Sequence, residues 1–94
     1  MVDNTWIAAA PGLASDDDSW SLGHKPIQGE TPIFDGTVSG NNCSWDYAIS
    51  DLAAITLQGT GGGVVSQAAA VGCGAGAISI SVWTWNTSTF TLNG

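Results

Sequence analysis

A chain of 94 residues forms one domain at most, and it buries roughly two thirds of the surface that its unfolded form exposes. Eight acidic residues and a single lysine give a formal net charge of -7. This balance excludes a protein that works by neutralising phosphates and disfavours an anionic membrane surface as the partner. Hydrophobic residues make up 44% of the chain, but twelve of them are alanines, so we expect oligomerisation or docking to supply further burial.

The charges are unevenly distributed along the chain. Asp51 is the last charged residue, and the 43 residues after it contain no Asp, Glu, Lys, Arg or His. Soluble β-proteins commonly protect exposed strand edges with charged side chains, especially lysine. We therefore expect the edges in the second half to be covered by partner subunits or closed within the fold.

The first third of the chain has no regular apolar pattern. Its longest apolar stretch, Trp6 to Ala10, is far too short for a signal peptide or a membrane span, so we expect neither. Prolines and an acidic cluster at Asp16 to Asp18 interrupt it further. The sequence predicts an extended N-terminal arm at 1–32, followed by a β-domain at 33–94.

Strands are predicted from Ile33 onward. Short stretches with a period of two, rich in β-branched residues, are separated by Gly and Asn at intervals of about ten residues. This pattern predicts an all-β fold: a small β-sandwich, a barrel or a short β-solenoid with an irregular N-terminal arm. The predicted strands cover 33–38, 45–49, 53–58, 64–65, 78–82 and the segment around Phe90 and Leu92.

Two tryptophans follow the strand predicted at 78–82. Trp83 and Trp85 continue the face opposite Ile78 and Ile80. Three interpretations stay open: burial under the N-terminal segment, an interface anchor, or a platform on which sugars stack.

The sequence offers little for catalysis or metal binding. The lone His24 lies in an irregular segment, and cations that stabilise an oxyanion or a phosphate are almost absent. Asp35 and Asp46 are candidates for a carboxylate pair, but any chain with eight acids offers some pair. Asp16 to Asp18 lack the spacing of an EF-hand loop. We therefore expect no enzymatic activity, no cofactor and no metal site.

The two cysteines leave two interpretations open. A disulfide between Cys43 and Cys73 would close a loop of about 30 residues and stabilise the fold by roughly 3 to 4 kcal/mol. Two buried thiols are the alternative. The spacing fits neither a zinc site nor a redox CxxC motif.

The segment Trp20 to Asp46, WSLGHKPIQGETPIFDGTVSGNNCSWD, carries a recognisable order of residues. A Trp and a Gly precede a Pro, a Gly-acid pair follows, and a short apolar strand ends in Phe-Asp-Gly-Thr before a Cys and an acid open the next strand. This order resembles structural proteins of tailed bacteriophages and related prophages. The alternation from Leu52 to Leu57, the Gly-Thr-Gly turn after it and the closing segment Thr89 to Gly94 resemble the succeeding β-coils of those proteins.

The resemblance implies a virion component on the outer capsid surface. A protein of this charge inside the capsid would be repelled by packaged DNA. The resemblance therefore implies a decoration (cement) protein that binds the capsid lattice from outside and stabilises it. Its partners would be the major capsid protein or another virion protein, and a homotrimer is favoured, with neither nucleic acid nor membrane involved. The N-terminal arm would then reach along the shell, with Trp6 and Trp20 as its interface anchors.

Two other functions stay open. The chain can be a carbohydrate-binding or host-adhesion module of a phage fibre or a cell surface, using Trp83 and Trp85. It can also be a fragment of a larger β-solenoid.

Overall fold

The computed structural model describes residues 2–59, 63–73, 76–78, 82–84 and 90–93, the last three ranges as backbone strands. This part of the chain forms short strands and one 3-10 helix, Asp17–Ser19, and contains no α-helix. The strands are β1 Val2–Thr5, β2 Gly12–Leu13, β3 Glu30–Asp35, β4 Cys43–Trp45, β5 Ile49–Leu52, β6 Ala54–Gln58, β7 Val64–Gln67, β8 Val71–Cys73, β9 Gly76–Ile78, β10 Val82–Thr84 and β11 Phe90–Asn93.

Successive strands visit three sheets in turn. The sheet orders are β1-β3-β6-β11, β10-β7-β4-β2 and β5-β8-β9. Within them β1, β3 and β6 are parallel, as are β2, β4 and β7, and β5 and β8. This arrangement is a short three-sided β-solenoid, so the all-β prediction is confirmed.

The last three described strands run in the opposite direction. β9 pairs antiparallel with β8, β10 with β7, and β11 with β6. The chain therefore retraces the three sheets in reverse order.

The period of two along each strand sends alternate side chains into the solenoid, where one coil stacks on the next. Phe34 is level with Leu57, and Cys43 is level with Val65. All four side chains are buried. The core is therefore a column in which each coil covers the apolar side chains of its neighbour.

Aromatic rings fill the first coils of this column. Trp20 is in edge contact with Trp6, Phe34 and Trp45, with ring centroids 5.2, 5.5 and 6.1 Å apart. All four residues are at most 1% exposed. Edge contacts between aromatic rings stabilise a core beyond the area that they bury.

The expected N-terminal arm is part of this solenoid. β1 pairs with β3 and β2 pairs with β4, so residues from the first third of the chain form its first coil. Trp6 and Trp20 join as an antiparallel bridge and lie in the core. This segment packs into the solenoid because burying its two large indoles stabilises the folded state more than leaving them exposed to solvent.

Two segments that were each predicted as one strand, 45–49 and 78–82, are divided between two strands in the structure. The alternation of Trp45, Tyr47 and Ile49 contains a corner, because β4 ends at Trp45 and β5 begins at Ile49 in a different sheet. The segment predicted at 78–82 overlaps two strands, β9 and β10, and residues 79–81 lie outside the described part of the chain. The strands predicted near 53–58 and 64–65 are confirmed as β6 and β7.

Asp35 fixes the turn that leaves β3. Its Oδ1 accepts hydrogen bonds from Thr37 N and Thr37 Oγ1 at 2.9 and 2.6 Å, and its Oδ2 accepts one from Gln58 Nε2 of the next coil at 3.0 Å. Gly59 adopts φ 79° beside this turn, where a Cβ would collide with the carboxylate. The Thr37 hydroxyl, followed by the Thr37 N–H and the Gln58 amide, lowers the pKa of Asp35 because these donors favour the charged carboxylate.

We predict that Phe34→Ala destabilises the protein by about 3 to 5 kcal/mol, because the ring is fully buried among tryptophans that cannot collapse into the space left behind. Urea unfolding followed by tryptophan fluorescence measures this loss. Val38→Ala is the control: this side chain is 56% exposed, and its truncation should cost less than about 0.5 kcal/mol. Equal losses for the two variants would contradict the described core.

We predict that Asp35 makes stability depend on acidic pH. Because its native pKa is lowered, its contribution is complete above the unfolded pKa of about 4 and is lost as pH falls through the native pKa. Asp35→Asn should therefore lower the urea midpoint at pH 6 and approach the wild-type midpoint near pH 2. Thr37→Val should reproduce part of this loss, and a pH-independent difference between wild type and Asp35→Asn would refute the assignment.

Candidate binding site

A groove opens between two segments that lie far apart in sequence. Its volume is about 430 Å³. One wall is formed by residues 25–28 and the other by residues 47–50. Its lining combines apolar side chains, such as Pro26 and Ile49, with the ammonium of Lys25.

The groove exists because the third sheet has no strand from the first coil. β5 is the edge strand of that sheet, and residues 25–29 run beside it. Main-chain hydrogen bonds join the two segments at one end, from Gly29 N to Asp51 O at 2.8 Å and from Ala53 N to Glu30 O at 3.0 Å. Side-chain hydrogen bonds also join the segments along the groove, from Gln28 Nε2 to Ser50 Oγ at 3.4 Å and from the Tyr47 hydroxyl to Pro26 O at 2.7 Å.

Asp51 marks an irregularity at this edge. It has φ 60°, a left-handed conformation that Asp tolerates better than most residues, and the β5–β8 register shifts between Ile49 and Leu52. A bulge of this kind opposes the addition of a regular strand. The groove is therefore suited to a side chain rather than to a paired strand.

Tyr47 is the best-defined side chain of the groove. Its ring stacks on Trp45 with centroids 5.2 Å apart and an interplanar angle of 22°, and its hydroxyl donates to Pro26 O at 2.7 Å. The ammonium of Lys25 lies 4.9 Å from the ring centroid, which is a cation–π distance. The aromatic ring is thus fixed on one wall and contacts the lysine of the other.

The acidic residues that act on this ring lie outside the groove lining. Burial raises the pKa of Tyr47 above its ordinary range, and the charges of Glu30, Asp46 and Asp17 raise it further. Burial opposes ionisation of Asp46, but hydrogen bonds from Ser15 Oγ and N at 2.6 and 2.9 Å prevail and lower its pKa. Lys25 contributes to the same lowering.

A buried polar network holds the wall that carries Lys25. Asn4 is completely buried, and its amide donates to Glu30 Oε1 at 3.1 Å and to His24 O at 2.9 Å. Glu30 Oε1 also accepts from Ile27 N at 3.2 Å, and Glu30 Oε2 lies 3.4 Å from His24 Nε2. The network therefore ties residues 24–27 to β1 and β3.

The residues predicted as interface anchors lie in different places. Trp6 and Trp20 are in the core, so the folded chain does not present them to a partner. Trp83 belongs to β10, where Val65 is its register partner. The side chain of Trp83 and all of Trp85 lie outside the described part of the chain, and their three interpretations stay open.

The remaining polar candidates have structural roles. Asp16 caps the 3-10 helix by accepting from Asp18 N at 3.2 Å, and Asp17 accepts from Lys25 N at 2.7 Å. Asp35 and Asp46 each hold a separate turn. Among the residues that the structure describes, no group of three or more His, Cys, Asp or Glu side chains is placed to hold a metal ion. In the same ranges, no helix has the length and apolar character needed to span a membrane.

Sequence reasoning missed the pairing of Lys25 with Tyr47. The one available signal was that Lys25 is the only Lys or Arg of the chain. A single basic residue in so acidic a protein is notable in the sequence. Its contact with Tyr47, however, depends on the three-dimensional fold.

We predict that the cysteines are unreactive in the folded protein and both reactive once it unfolds. Cys43 and Cys73 are buried and do not form a disulfide in the structure. Burial, and secondarily the charge of Asp46, raises the pKa of Cys43 well above its ordinary range, which suppresses the reactive thiolate. Ellman's reagent at pH 8 should detect almost no thiol in the native protein and two per chain in denaturant. No thiol in denaturant would establish the disulfide instead.

Comparison with protein families, with curated proteins and with solved structures finds no match to this chain.

Proposed function

We propose that this protein is a structural component of a virion, an outer capsid decoration (cement) protein that binds the capsid lattice and stabilises it. The observation that carries the proposal is a set of exposed aliphatic side chains on a small acidic solenoid. These side chains are 41 to 56% exposed and belong to Val2, Ile7, Leu13, Leu22, Ile27 and Val38. All six lie in the first 38 residues.

Exposed apolar side chains cost solubility unless a partner covers them, and contiguous patches are typical of protein interfaces. Some of these residues are close together in the fold. Leu22 N and Ile27 N are held by Asn4 Oδ1 and Glu30 Oε1, at 3.2 Å each, and Asn4 and Glu30 contact each other. These contacts bring Leu22 and Ile27 together. The proposed contact surface consists of the five exposed aliphatic side chains that precede β3, all of the set except Val38, and it replaces the anchors Trp6 and Trp20.

Charge favours the outer surface of a capsid. A net charge of -7 with one lysine repels packaged nucleic acid, whereas a protein lattice that presents basic residues attracts such a chain. The resemblance of Trp20 to Asp46 to tailed-phage structural proteins supports the same assignment. A homotrimer is the proposed oligomer.

We predict that the protein sediments with capsids assembled without it from the genome that encodes it, and that light scattering gives three times the chain mass. Leu13→Asp combined with Leu22→Asp should reduce capsid binding at least tenfold, because both changes place a charge on the proposed surface. Ala70→Asp adds a charge at an exposed position in the turn before β8, in the third coil, and is the matched control. A stable monomer that does not bind such capsids refutes the proposal.

The alternative function, a carbohydrate-binding or host-adhesion module, makes a different prediction. Host polysaccharide would then quench tryptophan fluorescence, and the quenching would disappear in Trp83→Ala or Trp85→Ala. Insensitivity to glycans together with a trimeric mass favours the capsid assignment.

A further inference from the structure

The groove contains an intramolecular cation–π contact between Lys25 and Tyr47. Lys25 Nζ lies 4.9 Å from the centroid of the Tyr47 ring, within the range of a cation–π interaction. The ring cannot turn freely, because Trp45 stacks on it and its hydroxyl is bound to Pro26 O at 2.7 Å. A fixed aromatic face with a cation over it is a complete recognition unit.

The electrostatic surroundings of this unit are negative. Glu30, Asp46 and Asp17 are near enough to Tyr47 to raise its pKa, whereas Lys25 is the only lysine of the chain, which has no arginine. Hydrogen bonds from Ser15 hold the Asp46 carboxylate in its charged form. Geometry places two more carboxylates against the groove wall, because Asp17 Oδ1 accepts from Lys25 N at 2.7 Å and Glu30 Oε1 accepts from Ile27 N at 3.2 Å. Three acidic residues and one lysine thus surround the entrance, and this balance favours a cation.

The lysine is held loosely at its charged end. The contact of His24 with Glu30 is the one salt bridge among the described residues, so no carboxylate there makes a close ion pair with the Lys25 ammonium. Its main chain, by contrast, is anchored, because Lys25 N donates to Asp17 Oδ1 at 2.7 Å. The ammonium can leave the ring without disturbing the backbone.

The groove gives an outside group access to the same ring. Lys25 and Tyr47 both line it, and its apolar walls, which include Ile27 and Ile49, suit the aliphatic stem of a long side chain. A planar guanidinium stacks on aromatic faces better than an ammonium does. The groove therefore leaves room for an arginine side chain that enters from solvent.

We propose that Tyr47, with the acidic residues beside it, forms a recognition site for an arginine of a partner protein, and that Lys25 occupies this site in the unbound protein until the arginine displaces it. A second copy of the chain cannot supply the group, since it has no arginine. Only the identity of the partner, a capsid protein with an exposed arginine, rests on the proposed function; the arginine site itself does not.

The test uses N-acetyl-arginine amide as the probe and NMR shifts of the Tyr47 ring protons as the signal. Lys25→Gln vacates the site, so this variant should bind the probe at least tenfold more tightly than the wild type. Tyr47→Leu in the same background should abolish the binding, and Asp46→Asn should weaken it at least threefold and reduce its sensitivity to salt. N-acetyl-citrulline amide, which has nearly the same shape without the charge, should bind neither protein measurably.

Equal binding of the arginine and citrulline probes to Lys25→Gln would overturn the proposal. Preference of the wild type for N-acetyl-glutamate amide would also overturn it, because Lys25 itself would then be the recognising group. Melting temperatures of the variants establish that they are folded. Probe binding without capsid binding refutes the proposed function alone, and capsid binding without probe binding refutes the arginine site alone.

Discussion

The packing of buried aromatic rings is the interaction on which the rest of the structure depends. Trp20 contacts Trp6, Phe34 and Trp45 edge to face, and Trp45 stacks on Tyr47. Each buried indole also donates its N–H to a main-chain oxygen, of Asn41 for Trp6, Ala14 for Trp20 and Tyr47 for Trp45. The rings thus fill the core of the first coils, and their N–H groups hold the chain around them. The same cluster supports the groove, because Trp45 stacks on the Tyr47 ring that forms one of its walls.

Charge is used sparingly and locally. Asp16, Asp35 and Asp46 each hold a turn through hydrogen bonds to neighbouring N–H or hydroxyl groups, so several acids that a composition count places on the surface are parts of the fold. Glu30 is more unusual, because it is 6% exposed and joins Asn4 in the buried network beneath the groove wall. The acidic residues therefore hold turns and a buried network in addition to setting the net charge.

The sequence predicted the fold class and several strands because alternation is a local signal, and β6 and β7 occur where the period of two is clear. It could not reveal the corner between Trp45 and Ile49, since alternating residues continue through a change of sheet. The coil repeat was hidden because unlike residues stack on one another, such as Phe34 on Leu57. The groove had no local signal at all, since its lysine and tyrosine meet only after the chain has completed a coil.

The reversal of the last three strands limits how the molecule can assemble. Parallel rungs have a direction, and identical rungs can in principle be stacked without end into a fibre. Here β9, β10 and β11 oppose the direction of the rungs beneath them, so the stack presents a face of one polarity at one end and of the opposite polarity at the other. A second copy stacked in the same orientation would bring its β1 antiparallel to β11, so the joint would not be another parallel rung. The reversed coil thus interrupts the uniform parallel ladder at one end of the molecule.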